Sequence, residues 1–380
     1  MRAGMCLYLH SQRRLPEPMT LAAAIPSPDR PVTAVSKYER LREVIAEQGQ
    51  PAFRRKQVLD SIFRQRIGRF QEMSALPNGL RDALTEAFGE TILDLKRVVS
   101  RNSEQAEKAL FEMPDGNRVE AIALDFSAGW ESFCISSQAG CGFACSFCAT
   151  GKIGLRRNMT ADEITDQLLD FHLAGRQLDS VSFMGMGEPL SNRNIFAAIE
   201  LFSDPALFGL SPRRITVSTI GVVPMMKKLS RDYPQVNLTL SLHSPFDDQR
   251  TEMIPLNARY DIDQLLASVD ERIRTNRRKT YFAYVLIDGV NDSMDHAKAL
   301  AARIKEGVHD HHLTHISLIR YNTAKQVTKV YQRARDEHVK RFKQHLDAAG
   351  LKTTVRASFG NDIDAACGQL FAQYDPKSGD

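Results

Sequence analysis

Cys141, Cys145 and Cys148 form a C-x3-C-x2-C cluster directly after the apolar run Phe133-Cys134-Ile135-Ser136. Three thiolates at this spacing can hold three irons of a 4Fe–4S cube and leave the fourth iron without a protein ligand, whereas electron-transfer clusters use four cysteines. An open iron can take up the amino and carboxylate groups of S-adenosylmethionine. The cluster's electron can then split that molecule into methionine and a 5′-deoxyadenosyl radical, a cofactor chemistry used where polar reactions fail. Phe143 and Phe147, inside the motif, would shield such a cluster from water.

The competing reading is a structural zinc site. Zinc wants four ligands, usually from two paired clips. The chain has one C-x2-C clip and no second Cys or His pair at matching spacing. His172 is the best fourth candidate, and it falls in an amphipathic helical stretch where an ordinary imidazole is equally expected.

The remaining sulfurs are Cys6, Cys134 and Cys367. Cys6 lies in the N-terminal tail and receives no role. Buried inert thiols are common, so Cys134 or Cys367 alone would be read as structural. Beside a radical-generating site, two spare thiols permit a specific scheme, in which one carries a group and the other displaces the enzyme from the product. The segment Asp362-Ile-Asp-Ala-Ala-Cys-Gly-Gln-Leu370 has the small residues that let a loop bring Cys367 close to another group.

These residues need elements to converge them. From residue 129 onward, strand-like and helix-like stretches alternate. Strands are expected at 132–136, 180–184, 215–218, 236–242, 280–286 and 315–320, with helices such as 195–202, 262–274, 294–304 and 337–349 between them. Thr160-Ala-Asp-Glu163 reads as a capping box opening a helix to about Ala174. Six β/α units predict a parallel sheet or an open barrel. The strands end in Gly185-Met-Gly-Glu188, Ser218-Thr-Ile-Gly221, Ser241-Leu-His243 and Tyr321-Asn322, and β/α barrels build active sites at such ends. Each cluster alone is weak: Gly187-Glu188 reads equally as a turn, and His243 as a core histidine.

Upstream, residues 37–96 read as a helical module with the apolar stripe Val58, Leu59, Ile62, Phe63 and a basic face of Arg54, Arg55, Lys56, Arg64, Arg66 and Arg69. That face suits phosphate backbones, or is simply solvated. Residues 97–128 read as a β-hairpin extension, with the turn Pro114-Asp-Gly116 between 108–112 and 118–125. Residues 129–374 form the expected catalytic unit; 1–36 and 375–380 are expected tails. The first tail is poor in acidic residues, which leaves an organelle-targeting segment as the alternative to a disordered tail or an upstream start codon.

The 380 residues suffice for one barrel and a small accessory module. A hydrophobic fraction of 43%, a charged fraction of 25% and a net charge of +4 describe a soluble protein able to meet nucleic acid without requiring it. Six cysteines in so long a chain are no secreted disulfide framework, and an oxygen-sensitive cluster points to the cytoplasm. No run reaches the roughly 18 apolar residues of a membrane span.

From about Tyr38 to Tyr374 the chain resembles the Cfr/RlmN family of radical S-adenosylmethionine rRNA adenine methyltransferases. The likeness rests on Trp130-Glu-Ser-Phe-Cys134, the cysteine loop through Thr150-Gly151, Met184-Gly-Met-Gly-Glu188, Ser218-Thr-Ile-Gly221, Ser241-Leu-His243 and the run to Cys367. It implies a partial (β/α)6 radical-SAM barrel and methylation of an adenosine in the peptidyl-transferase region of 23S rRNA, with antibiotic resistance when carbon 8 is the target. It further implies one 4Fe–4S cluster on Cys141, Cys145 and Cys148, and two S-adenosylmethionine molecules per turnover. The first methylates Cys367; the second yields the radical that takes hydrogen from the S-methyl group, and the methylene radical adds to the adenine. Glu120 would remove the ring proton, and Cys134 would attack the Cys367 sulfur, forming a transient disulfide and releasing the RNA. Gly187, Glu188, Ser218, Ser241, Leu242, His243 and Asn322 would hold S-adenosylmethionine.

Ser244-Pro245, Arg320-Tyr-Asn322 and Ala357-Ser-Phe-Gly360 resemble the carbon 8 branch, while Pro189 leans toward the housekeeping carbon 2 branch, whose substrates can include tRNA. The expected partners are naked or partly assembled 23S rRNA and an electron donor such as flavodoxin, with the enzyme a monomer and no membrane involved. A non-catalytic, metal-stabilised RNA-binding protein is the reading from another class.

Overall fold

The structure is a computed structural model and describes residues 35–323, 331–357, 359–360, 363 and 369–370. Three helices come first: α1 (Lys37–Glu47), capped by the Ser36 hydroxyl, α2 (Phe53–Phe63) and α3 (Asn78–Phe88). Their apolar faces, among them Tyr38, Leu41, Val58, Ile62, Leu80 and Leu84, close on Phe70 and Met73 in a small core that also takes in Leu169 and Leu207 from the following domain. Each such side chain contributes about 1.5–3 kcal/mol on full burial.

The module is also tied down by charge. The buried Lys37 ammonium pairs with Asp166 and donates to the Ile92 carbonyl at 2.8 Å. Much of its basic face is already engaged. Lys56 and Arg64 share Asp60, Arg69 meets Glu90, and Arg66 donates to the Gly175 carbonyl at 2.7 Å.

Next come β1 (Lys96–Asn102), β2 (Ala106–Glu112) and β3 (Arg118–Phe126), an antiparallel ribbon one strand wider than the hairpin expected from the sequence. The ribbon joins β4 (Trp130–Cys134) antiparallel. A separate two-stranded sheet follows, of β5 (Gln138–Cys141) and β6 (Gly154–Asn158), with the one-turn α4 (Thr150–Ile153) between them.

The rest alternates: α5 (Ala161–Leu173), β7 (Ser180–Phe183), α6 (Asn194–Ser203), β8 (Ile215–Thr219), α7 (Val223–Asp232), β9 (Asn237–Ser241), α8 (Asp247–Met253), α9 (Ile262–Asn276), β10 (Thr280–Leu286), α10 (Met294–Gly307), β11 (Thr314–Arg320), α11 (Asp336–Ala348) and β12 (Thr353–Val355). The capping box at α5 is present, with the Thr160 and Glu163 side chains each bonded to the other's backbone N–H. β5, α4, β6, α8 and β12 have no counterpart among the elements expected from the sequence.

The main sheet runs β1-β2-β3-β4-β7-β8-β9-β10-β11-β12 among the described residues. From β4 to β12 every neighbouring pair is parallel and in chain order. Right-handed crossovers in one direction put all helices on one side. The result is a partial barrel of the expected (β/α)6 kind, with β12 as a short seventh parallel strand and the ribbon on the β4 edge.

Register separates the two faces. Phe133, Val181, Val217, Leu238, Phe282 and Leu318 are buried. They belong to the helix side, where Phe133 meets Phe171 of α5 and Phe183 meets Phe202 of α6. The alternate positions face inward: Cys134 pairs with Ser182, Thr216 follows across β8, and Ser241 pairs with Ala283. On the ribbon, Ile122 pairs with both Cys134 and Lys108, so Lys108, Glu120 and Cys134 share the inner face.

Candidate active site

The cysteine loop leaves β5 at Cys141 and crosses the mouth formed by the C-terminal ends of the parallel strands. Ala144, between the first two cysteines, takes a left-handed φ of 51°, a backbone cost accepted at few places outside functional loops. The loop is pinned by Ser146, whose N–H reaches the Met253 carbonyl at 3.0 Å and whose hydroxyl lies 2.8 Å from the Tyr331 hydroxyl. Cys141, Cys145 and Cys148 are free thiols. Burial pushes the Cys141 thiol up to about 12 and also raises Cys145 well above the ordinary thiol range. Backbone N–H groups of Phe143 and Glu188 approach the Cys141 sulfur, and the Arg250 guanidinium lies by Cys145. Such thiols ionise only with a cation present, which is the behaviour of metal ligands.

The sulfur spacing separates one metal from several. The three sulfurs do not form a set with all separations within 4.8 Å. One tetrahedral zinc with bonds of about 2.3 Å would draw every pair to ~3.8 Å. His172 is also elsewhere: its Nε2 lies 3.0 Å from the Phe63 carbonyl and its ring stacks on Phe63 in the contact with the N-terminal helices. The donor set fits a polynuclear cluster on three cysteines.

Beside the loop opens a cleft of about 790 Å³, its mouth included. Its walls include Gly187, Glu188, Ser218, Ser241 and His243, together with Phe147, Met184, Tyr321 and Arg356. Leu242, between the lining residues Ser241 and His243, and Asn322, next to the lining Tyr321, are buried and are not themselves part of the wall; the Leu242 N–H bonds the Ala283 carbonyl at 3.0 Å. Gly187 has a φ of 95°, and a Cβ there would come within 2.5 Å of the Gln138 side chain. Only glycine lets the strand end fold back and aim Glu188 inward.

Glu188 is 4% exposed and carries no countercharge among the groups that shift it. Its carboxylate accepts from the N–H groups of Ile220 at 2.9 Å and Leu190 at 3.1 Å and from the Thr219 side chain. Desolvation nonetheless raises it to about 7. A buried carboxylate of this kind can accept hydrogen bonds from the amino group of a ligand in the cleft. His243 is 5% exposed, and burial lowers it to about 3, so its ring is neutral.

Arg250 of α8 was not visible as a functional residue in the polar run Asp247-Asp-Gln-Arg-Thr-Glu252. It is fully buried and donates to the carbonyls of Leu242 (2.9 Å), Ser241 (3.0 Å) and Ile220 (2.7 Å), and to Asn257 (2.7 Å). One guanidinium thus fixes the ends of β8 and β9 against each other. Among the described residues of the wall, Arg356, just past β12, is the one cationic side chain; its guanidinium lies 3.4 Å from the Met184 sulfur.

Glu120 and Cys134 lie on the adjoining inner face of β3 and β4, both more than nine-tenths buried. Ser136 connects them to the cleft, its hydroxyl donating to the Glu120 carbonyl at 2.6 Å and accepting from the Met186 N–H at 2.8 Å. The Cys134 side chain is buried, 8% exposed. Cys6 and Cys367 lie outside the described residues, so a Cys134–Cys367 disulfide has no structural observation behind it.

The chain matches the model of the Radical SAM superfamily over residues 135–301, and that of the ribosomal RNA large subunit methyltransferase N-terminal domain over residues 36–89. It is 50% identical over 339 residues to the ribosomal RNA large subunit methyltransferase Cfr of Staphylococcus aureus, covering 89% of this chain and 97% of that one. The protein of the same name from Bacillus velezensis is 47% identical over 339 residues, with the same coverage. Among solved structures, a radical SAM methyltransferase from Sphaerobacter thermophilus superposes with a TM-score of 0.82 at 37% identity, covering 88% of this chain and 98% of that one.

Proposed function

The chain belongs to the Cfr/RlmN family of radical S-adenosylmethionine rRNA methyltransferases, and from that premise we propose that it methylates carbon 8 of a peptidyl-transferase adenosine in 23S rRNA and so protects ribosomes from antibiotics that bind there. The observation that carries the catalytic reading is the meeting of the three-cysteine loop with a cleft walled by Glu188, Ser218, Ser241 and His243. When bound, a 4Fe–4S cluster on Cys141, Cys145 and Cys148 and S-adenosylmethionine in that cleft supply a radical able to break a C–H bond.

The chain's own residues divide the remaining work. Glu188 would accept hydrogen bonds from the N–H groups of the cofactor's amino group, and the serine hydroxyls and the His243 Nε2–H would bond its other polar atoms. Cys367 carries the methyl group to be transferred. Glu120 takes the proton from the adenine ring. Cys134 attacks the Cys367 sulfur; an S–S bond replaces the S–C bond to the RNA, and the departing carbon keeps that bond's electron pair and takes up a proton to become the methyl group.

Carbon 8 is favoured by Ser244-Pro245, Arg320-Tyr-Asn322 and Ala357-Ser-Phe-Gly360, which resemble that branch. Carbon 2 of the same nucleotide is the second reading, favoured by Pro189. Mass spectrometry of digested 23S rRNA from cells expressing the protein separates them: 8-methyladenosine supports the first, and 2-methyladenosine alone overturns it. Naked or partly assembled rRNA as substrate, a flavodoxin-type electron donor, a monomeric enzyme and a cytoplasmic site of action belong to the same proposal. No helix among the described residues is long and apolar enough to cross a membrane.

A further inference from the structure

A lysine is rarely buried without a reason, because its charge must leave water. Lys108 is 8% exposed and lies on β2, inside the partial barrel's inner face. Its register partner on β3 is Ile122, whose partner on β4 is Cys134, so Lys108, Ile122 and Cys134 form one row across three strands. Glu120 stands two residues along β3 from Ile122, opposite Leu110, on the same face and nearer the mouth. The Lys108 ammonium reaches diagonally to Glu120 Oε1 at 3.4 Å, and the two side chains are 10% and 9% exposed. Diagonal neighbours on one face of an antiparallel pair are within reach of long side chains.

An ion pair this deep adds little net stability, since desolvating both groups offsets much of their attraction. The same region could hold apolar side chains, as the neighbouring Ala109, Phe111, Val119 and Ala121 do on the other face. What the pair provides is a fixed carboxylate. Glu120 has its backbone carbonyl held by the Ser136 hydroxyl and its side chain held by Lys108, in a site where removal of a ring proton demands a base within hydrogen-bond reach.

We propose that Lys108 is a positioning residue that orients the Glu120 carboxylate for proton removal from the adenine ring. The inference rests on the reading of Glu120 as the base and deepens it. Lys108 touches neither the cofactor nor the reacting carbon; it acts through Glu120. A residue acting through another shows itself by non-additivity.

The test uses the full chain with its cluster reconstituted, S-adenosylmethionine, reductant and a transcript of the peptidyl-transferase region of 23S rRNA. Five proteins are compared: parent, Lys108→Met, Lys108→Arg, Glu120→Gln and the double variant Lys108→Met/Glu120→Gln. Lys108→Met is expected to keep methylation of Cys367, read by intact mass, and to keep the KM for RNA. Its kcat for methylated RNA should fall at least about tenfold, a fraction of what a general base contributes. Lys108→Arg should recover to within roughly threefold, and the double variant should be no slower than Glu120→Gln alone.

Parent-like turnover by Lys108→Met overturns the proposal, as does a change confined to KM, or a double variant slower than Glu120→Gln by the full Lys108→Met factor. Full activity of Glu120→Gln would instead remove the base assignment itself, a failure distinct from that of Lys108. Should Lys108→Met melt far below the parent, Lys108→Gln takes its place with the same criteria.

Discussion

His243 Nδ1 accepts a hydrogen bond from the Val285 backbone N–H at 3.0 Å. The acceptor nitrogen carries no proton, so the proton of the neutral ring is on Nε2. The ring is edge-on to Phe147 of the cysteine loop, and the residue holds a φ of 60°. Asn291 fixes the turn by donating to the His243 carbonyl at 2.8 Å and the Val285 carbonyl at 2.6 Å.

This arrangement makes His243 a constant donor rather than a proton carrier. With burial holding it at about 3, its imidazole nitrogens should show no titration in 15N NMR between pH 5.5 and 8. His243→Phe should weaken S-adenosylmethionine binding about tenfold, the loss of one net hydrogen bond of about 1.4 kcal/mol. An NMR midpoint near 6.5 would contradict the buried-donor role.

Glu188 carries a stability cost with a defined sign. Its carboxyl is raised from 4.5 to about 7, so between those values the folded apoprotein keeps a proton that the unfolded chain releases. Stability is therefore lost as pH rises from 4.5 through 7, by at most about 3 kcal/mol. Glu188→Gln should raise the melting temperature of the apoprotein at pH 8, leave it nearly unchanged at pH 4.5, and abolish the further stabilisation by S-adenosylmethionine. His243 has the opposite slope: its depressed value makes stability fall as pH drops below 6.5. A melt series from pH 4.5 to 8.5 on both variants measures the two slopes.

Arg250→Met would leave the carbonyls of Ile220, Ser241 and Leu242 without this donor. A buried acceptor left unsatisfied costs about 1–3 kcal/mol, so the variant should lose roughly 3–5 kcal/mol in denaturant unfolding. S-adenosylmethionine affinity should fall with it, because Ser241 and the residues around Ile220 line the cleft. Unchanged stability would show that water replaces the guanidinium there.

The purified protein should be brown under anaerobic conditions, with about four iron and four sulfide per chain. Cys145→Ala should lose the colour and the iron together. Stoichiometric zinc in place of iron, or no 5′-deoxyadenosine on addition of S-adenosylmethionine and reductant, would remove the radical mechanism.

Cys134→Ala should accumulate a covalent RNA–protein species on denaturing gels, since the thiol proposed to displace Cys367 is gone. Cys367→Ala should give neither adduct nor methylated RNA. Normal turnover by Cys134→Ala would withdraw it from the release step.

How far the fold could be read in advance follows from its alternation. Ile215-Thr-Val-Ser-Thr219 and Asn237-Leu-Thr-Leu-Ser241 place apolar side chains toward the helices and polar ones inward, a period of two that survives in the sequence. The capping box at Thr160 was equally plain. β12 and the β5–β6 pair were not, because Gln138-Ala-Gly-Cys141, Gly154-Leu-Arg-Arg-Asn158 and Thr353-Thr-Val355 do not alternate apolar and polar residues. α8 was hidden because six polar residues in a row read as solvated, although one of them is the buried Arg250.

By itself the sequence determined the chemistry on offer: three thiolates at cluster spacing, a glycine-glutamate turn, and serines and a histidine at strand ends. Spacing along one loop is a local property, and the chain carries it directly. Only the tertiary structure decided the pairings across strands. It placed Lys108 beside Glu120, set Glu188 in a desolvated wall without a countercharge, fixed the His243 tautomer through Val285, and took His172 away to the N-terminal helices. Those relations depend on register and burial, which are set by how the sheet and helices pack and are not written in any single segment.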